Sequence, residues 1–396
     1  MSGQAPRHVV VVGAGLGGLR TIEALRSGGY QGKITLIGAE RHAPYDRPPL
    51  SKQILSGDWE PARATLCDDA GLARLGVSAR LGIRAVRLRG TTVDVDDGGS
   101  VTGDAVVLAP GAVARKVPGQ PADVVTLRTL DDALALRRAL DAARSLVIVG
   151  AGFIGAEVAC AARRRDVAVT VLETLPVPCE RVLGREVGTL AARLFTEAGA
   201  DLRCATPVAR LADGHTVELA DGTVLSADVV LASIGAVPDL AWLGDSGLPA
   251  QDGLKCDERG RVAGADDVWA VGDAAAWRDP DAGGHHRSEH WTTTVDQARE
   301  VACGILGSQP PATAPCYVWS DQFNLKVQVI GRTAGVDEVI ALHGSGFDGG
   351  PVKGTVAGYF AGGVLKGVVS FGAPAVFVRY RALVMSGADR EAVLAR

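Results

Sequence analysis

The chain has seven cysteines, and no two of them stand in close register. Cys67, Cys160, Cys179, Cys204, Cys256, Cys303 and Cys316 form neither a Cys-x-x-Cys nor a Cys-x4-Cys spacing. That absence excludes a redox-active dithiol. With no clustered Cys or His, it also argues against a zinc or iron–sulfur centre held by the chain itself, so no metal is expected. An odd, scattered set predicts reduced thiols in a reducing compartment. Aromatic residues are scarce at 5%, and no run of 18 apolar residues occurs, so no transmembrane helix is predicted. The stretch Met1-Ser2-Gly3-Gln4-Ala5-Pro6-Arg7-His8 holds no signal-peptide apolar core, and a cytoplasmic location is expected. Charge of one sign is lacking too: the net charge of −4 provides no general attraction to nucleic acid or an anionic membrane. His285, His286 and His290 lie in a Gly-rich loop, where solvated loop residues are a simpler reading than metal ligands.

Glycine is plentiful instead, with 51 residues in 396, and two clusters of it repeat one pattern. Gly13-Ala14-Gly15-Leu16-Gly17-Gly18 follows the apolar run Val9–Val12. Gly150-Ala151-Gly152-Phe153-Ile154-Gly155 follows Leu146–Val149. Each precedes a helix-like stretch, Leu19 to Arg26 and Ala156 to Arg165. In that context the first Gly makes a tight turn, the second lets backbone approach a pyrophosphate, and the third packs helix on strand. The helix N-terminus then faces the phosphate charge. Two such units predict two dinucleotides, and two dinucleotides in one chain predict electron exchange between them.

The rest of the pattern gives an α/β chain with two Rossmann-like domains and a C-terminal α+β domain. Residues 1–112 and 241–315 are expected to form one discontinuous dinucleotide-binding domain. Residues 113–240 are expected to form the second, and 316–396 the C-terminal domain; the resemblance given next implies FAD for the first and NAD for the second. Strands are expected at Lys33–Gly38 and Ala105–Gly111 in the first, and at Val167–Glu173 and Ala227–Gly235 in the second. The Pro-rich stretch Gln309 to Pro315 reads as a linker, and antiparallel strands with terminal helices follow it.

The two turns, together with Ala270-Val271-Gly272-Asp273, resemble the flavin-dependent pyridine nucleotide–disulfide oxidoreductase superfamily. More narrowly the chain resembles its dithiol-free ferredoxin reductases, of the putidaredoxin reductase and biphenyl dioxygenase reductase type. Four places carry that likeness: Pro44-Tyr45-Asp46-Arg47-Pro48-Pro49-Leu50-Ser51-Lys52, Leu127-Arg128-Thr129-Leu130-Asp131-Asp132-Ala133, the second Gly turn with Glu157, and Trp319-Ser320-Asp321-Gln322.

The resemblance implies a role for each of several residues. Gly13, Ala14, Gly15 and Gly18 would hold the FAD pyrophosphate, with Glu40 on the adenosine ribose. Arg47 would pair with a flavin phosphate or stand as a solvated surface arginine, and the same holds for Arg41. Ala85 matches a backbone contact to adenine, and Arg128 a position on the phosphate side. Gly272 and Asp273 match the turn that meets the ribityl hydroxyls, and Trp291 a backbone contact to the flavin ring. Pro49 would pack on the isoalloxazine. Trp319 is a flavin neighbour or domain-interface packing. Lys52 and Glu157 match the pair near flavin N5, where the lysine favours the reduced flavin and the carboxylate holds it. Gly150, Gly152, Phe153, Ile154 and Gly155 would bind the second dinucleotide, with Gly235 near its nicotinamide. Glu173, 21 positions after Gly152, suits a 2′-hydroxyl and repels a 2′-phosphate, so NADH is expected over NADPH.

The implied activity is hydride transfer from NADH to FAD, followed by single-electron transfer to a ferredoxin serving a cytochrome P450 or ring-hydroxylating oxygenase. The encounter should be transient and salt-sensitive, with Arg63, Arg74, Arg80, Arg299 and Arg332 as possible contributors. Monomer and homodimer stay open. Rival readings keep the scaffold and change the acceptor to rubredoxin, monodehydroascorbate or oxygen, or make the chain an NADH-sensing protein of the apoptosis-inducing-factor type. An oxidase would carry a reactive Cys where this chain has His42, Tyr45 and Asp46. The chain also departs from the family pattern at Ala109-Pro110-Gly111 and Gly372-Ala373-Pro374.

Overall fold

A computed structural model describes residues 5–279, 283–310 and 315–395. Most of the Pro-rich link, residues 311–314, therefore lies outside the described residues, as do the first four residues of the N-terminal stretch. The chain divides into two compact units, one of residues 1–46, 62–113 and 236–313, the other of residues 47–61, 114–235 and 314–396. The expected nicotinamide-binding and C-terminal segments thus share a unit, and the segment carrying Lys52 belongs with them.

The first unit is built on five parallel strands in the order Val268–Ala270, Ala105–Leu108, His8–Val12, Lys33–Gly38, Val77–Leu81. A parallel strand buried on both faces needs apolar side chains at every position, which explains the unbroken run Val9–Val12. Val9 and Val11 pack with Leu19, Ile22 and Leu25 of the helix Leu16–Ser27, and with Val301 and Ala302 of the helix Trp291–Leu306. Val10 and Val12 point the other way, toward Leu88, Val93 and Val95 of the meander formed by Ala85–Arg89, Thr92–Val95 and Ser100–Thr102.

The second unit repeats the plan with four parallel strands, Asp201–Arg203, Ala168–Leu172, Ser145–Val149 and Val229–Ala232. Val147, Val149 and Leu172 pack against Leu211, Val217 and Leu219 of a second meander. A five-stranded antiparallel sheet completes this unit, in the order Tyr317–Gln322, Leu325–Gly331, Val364–Phe371, Val356–Ala361, Glu338–His343. Phe323 and Asn324 turn its first hairpin with φ of 48° and 65°, the left-handed pair that matches strand twist. One sheet face (Val327, Val329, Tyr359, Phe371) packs on Leu183, Val187, Leu190 and Leu194 of the helix Glu180–Glu197. The other (Ile330, Phe360, Val368) packs on Phe377, Tyr380 and Leu383 of the helix Pro374–Ser386.

The helix Glu180–Glu197 lay outside the sequence expectation, and so did Leu130–Ala142. The second shows why part of the family signature is written as it is. Thr129 caps the helix by accepting from the Asp132 amide, and the Asp132 carboxylate accepts from the Arg128 and Thr129 amides (3.0 and 2.9 Å). That reciprocal capping box satisfies backbone donors the first turn would otherwise leave unpaired.

Candidate active site

The two Gly turns have the same physical construction. Gly13 has φ +111° and Gly150 φ +103°, so both need a residue without Cβ. A Cβ on Gly13 would stand 1.9 Å from the Ala109 carbonyl oxygen, and one on Gly150 2.3 Å from that of Ser233. The third glycines press on their own turns: a Cβ on Gly18 would meet the Gly13 oxygen at 2.0 Å, and one on Gly155 the Gly150 oxygen at 2.2 Å. At the middle glycines, Gly15 and Gly152, nothing lies within 4 Å of the Cβ position. Both N-cap their helices with no side-chain cap, leaving the first amides for an outside acceptor. Crowding at the outer glycines and open space at the middle one is what a pyrophosphate on a helix N-terminus requires. Both cradles fit a dinucleotide.

In the first unit, Ala14 follows the turn's first glycine, and Ala109 keeps its strand bond to the Val12 oxygen (2.7 Å) although Pro110 follows. Glu40 stands after the second strand and accepts from the Tyr45 hydroxyl (2.6 Å). Ala85 is buried at the start of its strand. The Gly272–Ala274 turn is fixed by the Gln297 side chain, which accepts from the Gly272 amide (2.9 Å), and the Asp273 carbonyl accepts from Arg287 (2.9 Å). Trp291 opens its helix, donates from Nε1 to Asp46 (2.9 Å) and lies beneath the Arg20 guanidinium. Of the basic residues named from the sequence, Arg80 and Arg299 are ion-paired, with Asp97 and Asp296.

In the second unit, Glu173 holds the nucleotide turn as well as standing beside it. One carboxylate oxygen accepts from the Ala151 amide (2.8 Å), and the other from the Leu175 amide (2.9 Å). Phe153 packs against the C-terminal sheet, while Ile154 is exposed. Gly235, with φ +100°, accepts from the Arg115 amide. Arg47 and Arg128 come together, the Arg47 guanidinium donating to the Arg128 carbonyl (2.6 Å). Trp319 stacks on Tyr317, ring centroids 5.7 Å apart.

Lys52 and Glu157 meet in the same unit. Pro49 starts a wide turn over Leu50–Ile54, its carbonyl accepting from the Lys52 and Ile54 amides (3.1 and 2.9 Å); the second is a π-type bond of the kind that often marks functional positions. The turn sets the Lys52 ammonium 2.8 Å from Glu157 Oε1, with side-chain exposures of 11% and 4%. Lys52 also donates to the Pro48 carbonyl (3.2 Å). A carboxylate this buried is costly unless its lone pairs are used. Two further donors use them: the Ser51 hydroxyl on Oε2 and the Ser320 hydroxyl on Oε1. Neither serine was singled out from the sequence, although both lie inside the stretches that carry the family likeness. A hydroxyl has no signature until the fold shows what it faces.

Two of the thiols are deeply buried and hard to ionise. Burial pushes the Cys179 thiol up to about 12, with the Glu173 and Glu157 charges adding to the effect, and burial also raises Cys256. None of the seven cysteines is in a disulfide. Among the described residues no group of three or more His, Cys, Asp or Glu is placed to hold a metal ion, and no helix is long and apolar enough to cross a membrane.

Two parallel sheets, each headed by a dinucleotide cradle, with a buried lysine–glutamate pair and no dithiol, define a two-nucleotide oxidoreductase. The chain belongs to the pyridine nucleotide-disulphide oxidoreductase family, which it matches over residues 7–298; residues 317–395 match the reductase C-terminal family. FAD and NADH, the expected pair, are the cofactors of this kind of enzyme. The ferredoxin reductase component of chlorobenzene dioxygenase from Cupriavidus sp. (strain PS12) is 38% identical over 349 residues, covering 86% of this chain and 84% of that one. The ferredoxin–NAD(+) reductase subunit of the benzene 1,2-dioxygenase system from Pseudomonas putida is 35% identical over 340 residues, covering 84% and 82%. Among solved structures, the covalent putidaredoxin reductase–putidaredoxin complex matches with a TM-score of 0.92 at 29% identity, covering 98% of this chain and 96% of that one.

Proposed function

We propose that this protein is an NADH:ferredoxin reductase that supplies electrons to a ring-hydroxylating oxygenase or a cytochrome P450. The observation that carries the reading is the buried Lys52–Glu157 pair in a chain with two dinucleotide cradles and no dithiol. The relatives named above act in ferredoxin-linked dioxygenase systems, which favours an iron–sulfur acceptor over a thiol.

In this reading the Gly13–Gly18 turn holds the FAD pyrophosphate by backbone amides and helix field, and Glu40 takes the adenosine ribose. Gly272, Asp273 and Trp291 line the flavin side, with Ala85 at the adenine, Arg47 and Arg128 toward the phosphates, and Pro49 and Trp319 against the ring. The Gly150–Gly155 turn, with Phe153 and Ile154, holds NADH, Gly235 lies by its nicotinamide, and Glu173 disfavours a 2′-phosphate. Lys52 places a positive charge where flavin N5 is expected, and Glu157 keeps that ammonium in place. The bound flavin links a two-electron donor to a one-electron acceptor, which nicotinamide alone cannot do. The ferredoxin contact is small and transient, so its rate falls as salt rises.

The test is a steady-state comparison of NADH with NADPH against a panel of ferredoxins, rubredoxin and oxygen, with cytochrome c as reporter. Preference for NADH and ferredoxin is expected, and turnover with oxygen equal to that with every iron–sulfur protein overturns the acceptor. Lys52→Ala should slow flavin reduction far more than it lowers FAD content; a normal reduction rate removes Lys52 from the reaction centre.

A further inference from the structure

The torsion that orients a glutamate carboxylate is broad, so packing alone does not hold it in one plane. At Glu157 the donors must do that. Each carboxylate oxygen accepts two hydrogen bonds at most. Oε1 receives the Lys52 ammonium and the Ser320 hydroxyl, and Oε2 receives the Ser51 hydroxyl, which leaves one acceptor site, on Oε2. The hydroxyl of Ser320 is itself aimed. The Gln322 side-chain amide donates to its oxygen (3.1 Å), which turns the Ser320 proton toward Glu157. Ser320 and Gln322 are fully buried, alternate residues of one strand of the C-terminal sheet, and point to the same side. The buried chain of polar groups therefore runs from Gln322 through Ser320 and Glu157 to Lys52.

From this geometry we infer that Ser320 is a positioning residue for hydride transfer: its hydroxyl, oriented by Gln322, fixes the plane of the Glu157 carboxylate and through it the place of the Lys52 ammonium. The inference rests on the reading of Lys52 and Glu157 given above. Ser320 touches neither cofactor in this account. It acts on the reaction only through Glu157. When its hydroxyl is removed, Oε1 keeps a single donor, the carboxylate turns, and the lysine follows.

The experiment follows anaerobic reduction of the FAD holoenzyme by NADH in a stopped-flow instrument, with no ferredoxin present. In Ser320→Ala the limiting rate should fall about tenfold, equivalent to about 1.4 kcal/mol of barrier. The NADH concentration at half-saturation and the FAD content should stay at wild-type values, and the flavin midpoint potential should become more negative. Ser320→Thr, which restores a hydroxyl, should recover most of the rate. A wild-type limiting rate in Ser320→Ala overturns the inference, and so does a rate loss matched by an equal loss of FAD, since that marks a merely structural role. If Ser320→Ala fails to fold, Gln322→Leu, which leaves the serine without its guide, takes its place: a slowed limiting rate supports the inference and an unchanged one overturns it. If wild-type flavin is not reduced by NADH at all, the underlying reading fails, which is a different result from either of these.

Discussion

Replacing Glu157 by Leu removes the acceptor of three donors at once: the Lys52 ammonium and the Ser51 and Ser320 hydroxyls. The hydroxyls can turn, but the ammonium cannot leave. Its side chain is 11% exposed, and its remaining acceptor is the Pro48 carbonyl at 3.2 Å. Stranding one member of a buried ion pair costs about 3–5 kcal/mol. In a unit of about 220 residues, each kcal/mol lowers the melting temperature by about 2–4 °C. The expected fall is therefore about 10 °C, read by circular dichroism with FAD in excess so that cofactor loss does not enter the comparison. The decisive variant is the double mutant Lys52→Met/Glu157→Leu. With the stranded charge gone, it should recover at least about 2 kcal/mol of the loss, a coupling far above the additivity error of about 0.5 kcal/mol. If the single variant melts with the wild type, or the double melts no higher than the single, the pair is not the buried, charge-balanced unit described above.

Three further outcomes follow from the same geometry. Gly13→Ala should abolish FAD retention and destabilise the first unit, whereas Gly15→Ala, with open space at its Cβ position, should fold and melt normally but release FAD; equal melting of both variants refutes the assigned crowding. Glu173→Arg should weaken NADH at least about tenfold and raise relative use of NADPH, because it also strands the Ala151 and Leu175 amides, worth about 1–3 kcal/mol each; an unchanged NADH-to-NADPH ratio of kcat/KM removes Glu173 from specificity. Burial holds His290 below its ordinary value of 6.5, against the opposing charges of Asp273 and Glu289. The unfolded chain therefore takes up that proton first as pH falls, so the contribution is complete above pH 6.5 and is lost below it. His290→Asn, at the N-cap of the helix Trp291–Leu306, should flatten the acid limb of the stability curve, and an unaltered limb shows that His290 does not titrate there.

The nucleotide machinery was legible because its physics is local. A glycine that must have positive φ, followed by one that must leave room and one that must admit a helix, is a constraint on neighbours in sequence, and both copies could be read directly. The helix Leu130–Ala142 lay outside the sequence expectation although its Thr129–Asp132 cap is in plain view, because this capping box is closed by Asp where the usual signature has Glu or Gln. The helix Glu180–Glu197 was missed for another reason. Its first turn follows Cys179 in a left-handed conformation and its interior is broken at Gly184, so the apolar period is interrupted where it begins.

The sequence by itself determined the two cradles, the absence of a dithiol, and the residue types at Lys52, Glu157 and Glu173, because each follows from spacing along the chain or from composition. Only the tertiary structure decided what those side chains face. Ser51 and Ser320, 106 and 163 positions from Glu157, converge on one buried carboxylate, and a Glu173 oxygen accepts from the Ala151 amide of the second Gly turn, 22 positions away. Hydrogen bonds across such separations arise from how strands and helices pack, and packing leaves no periodic trace in the order of residues.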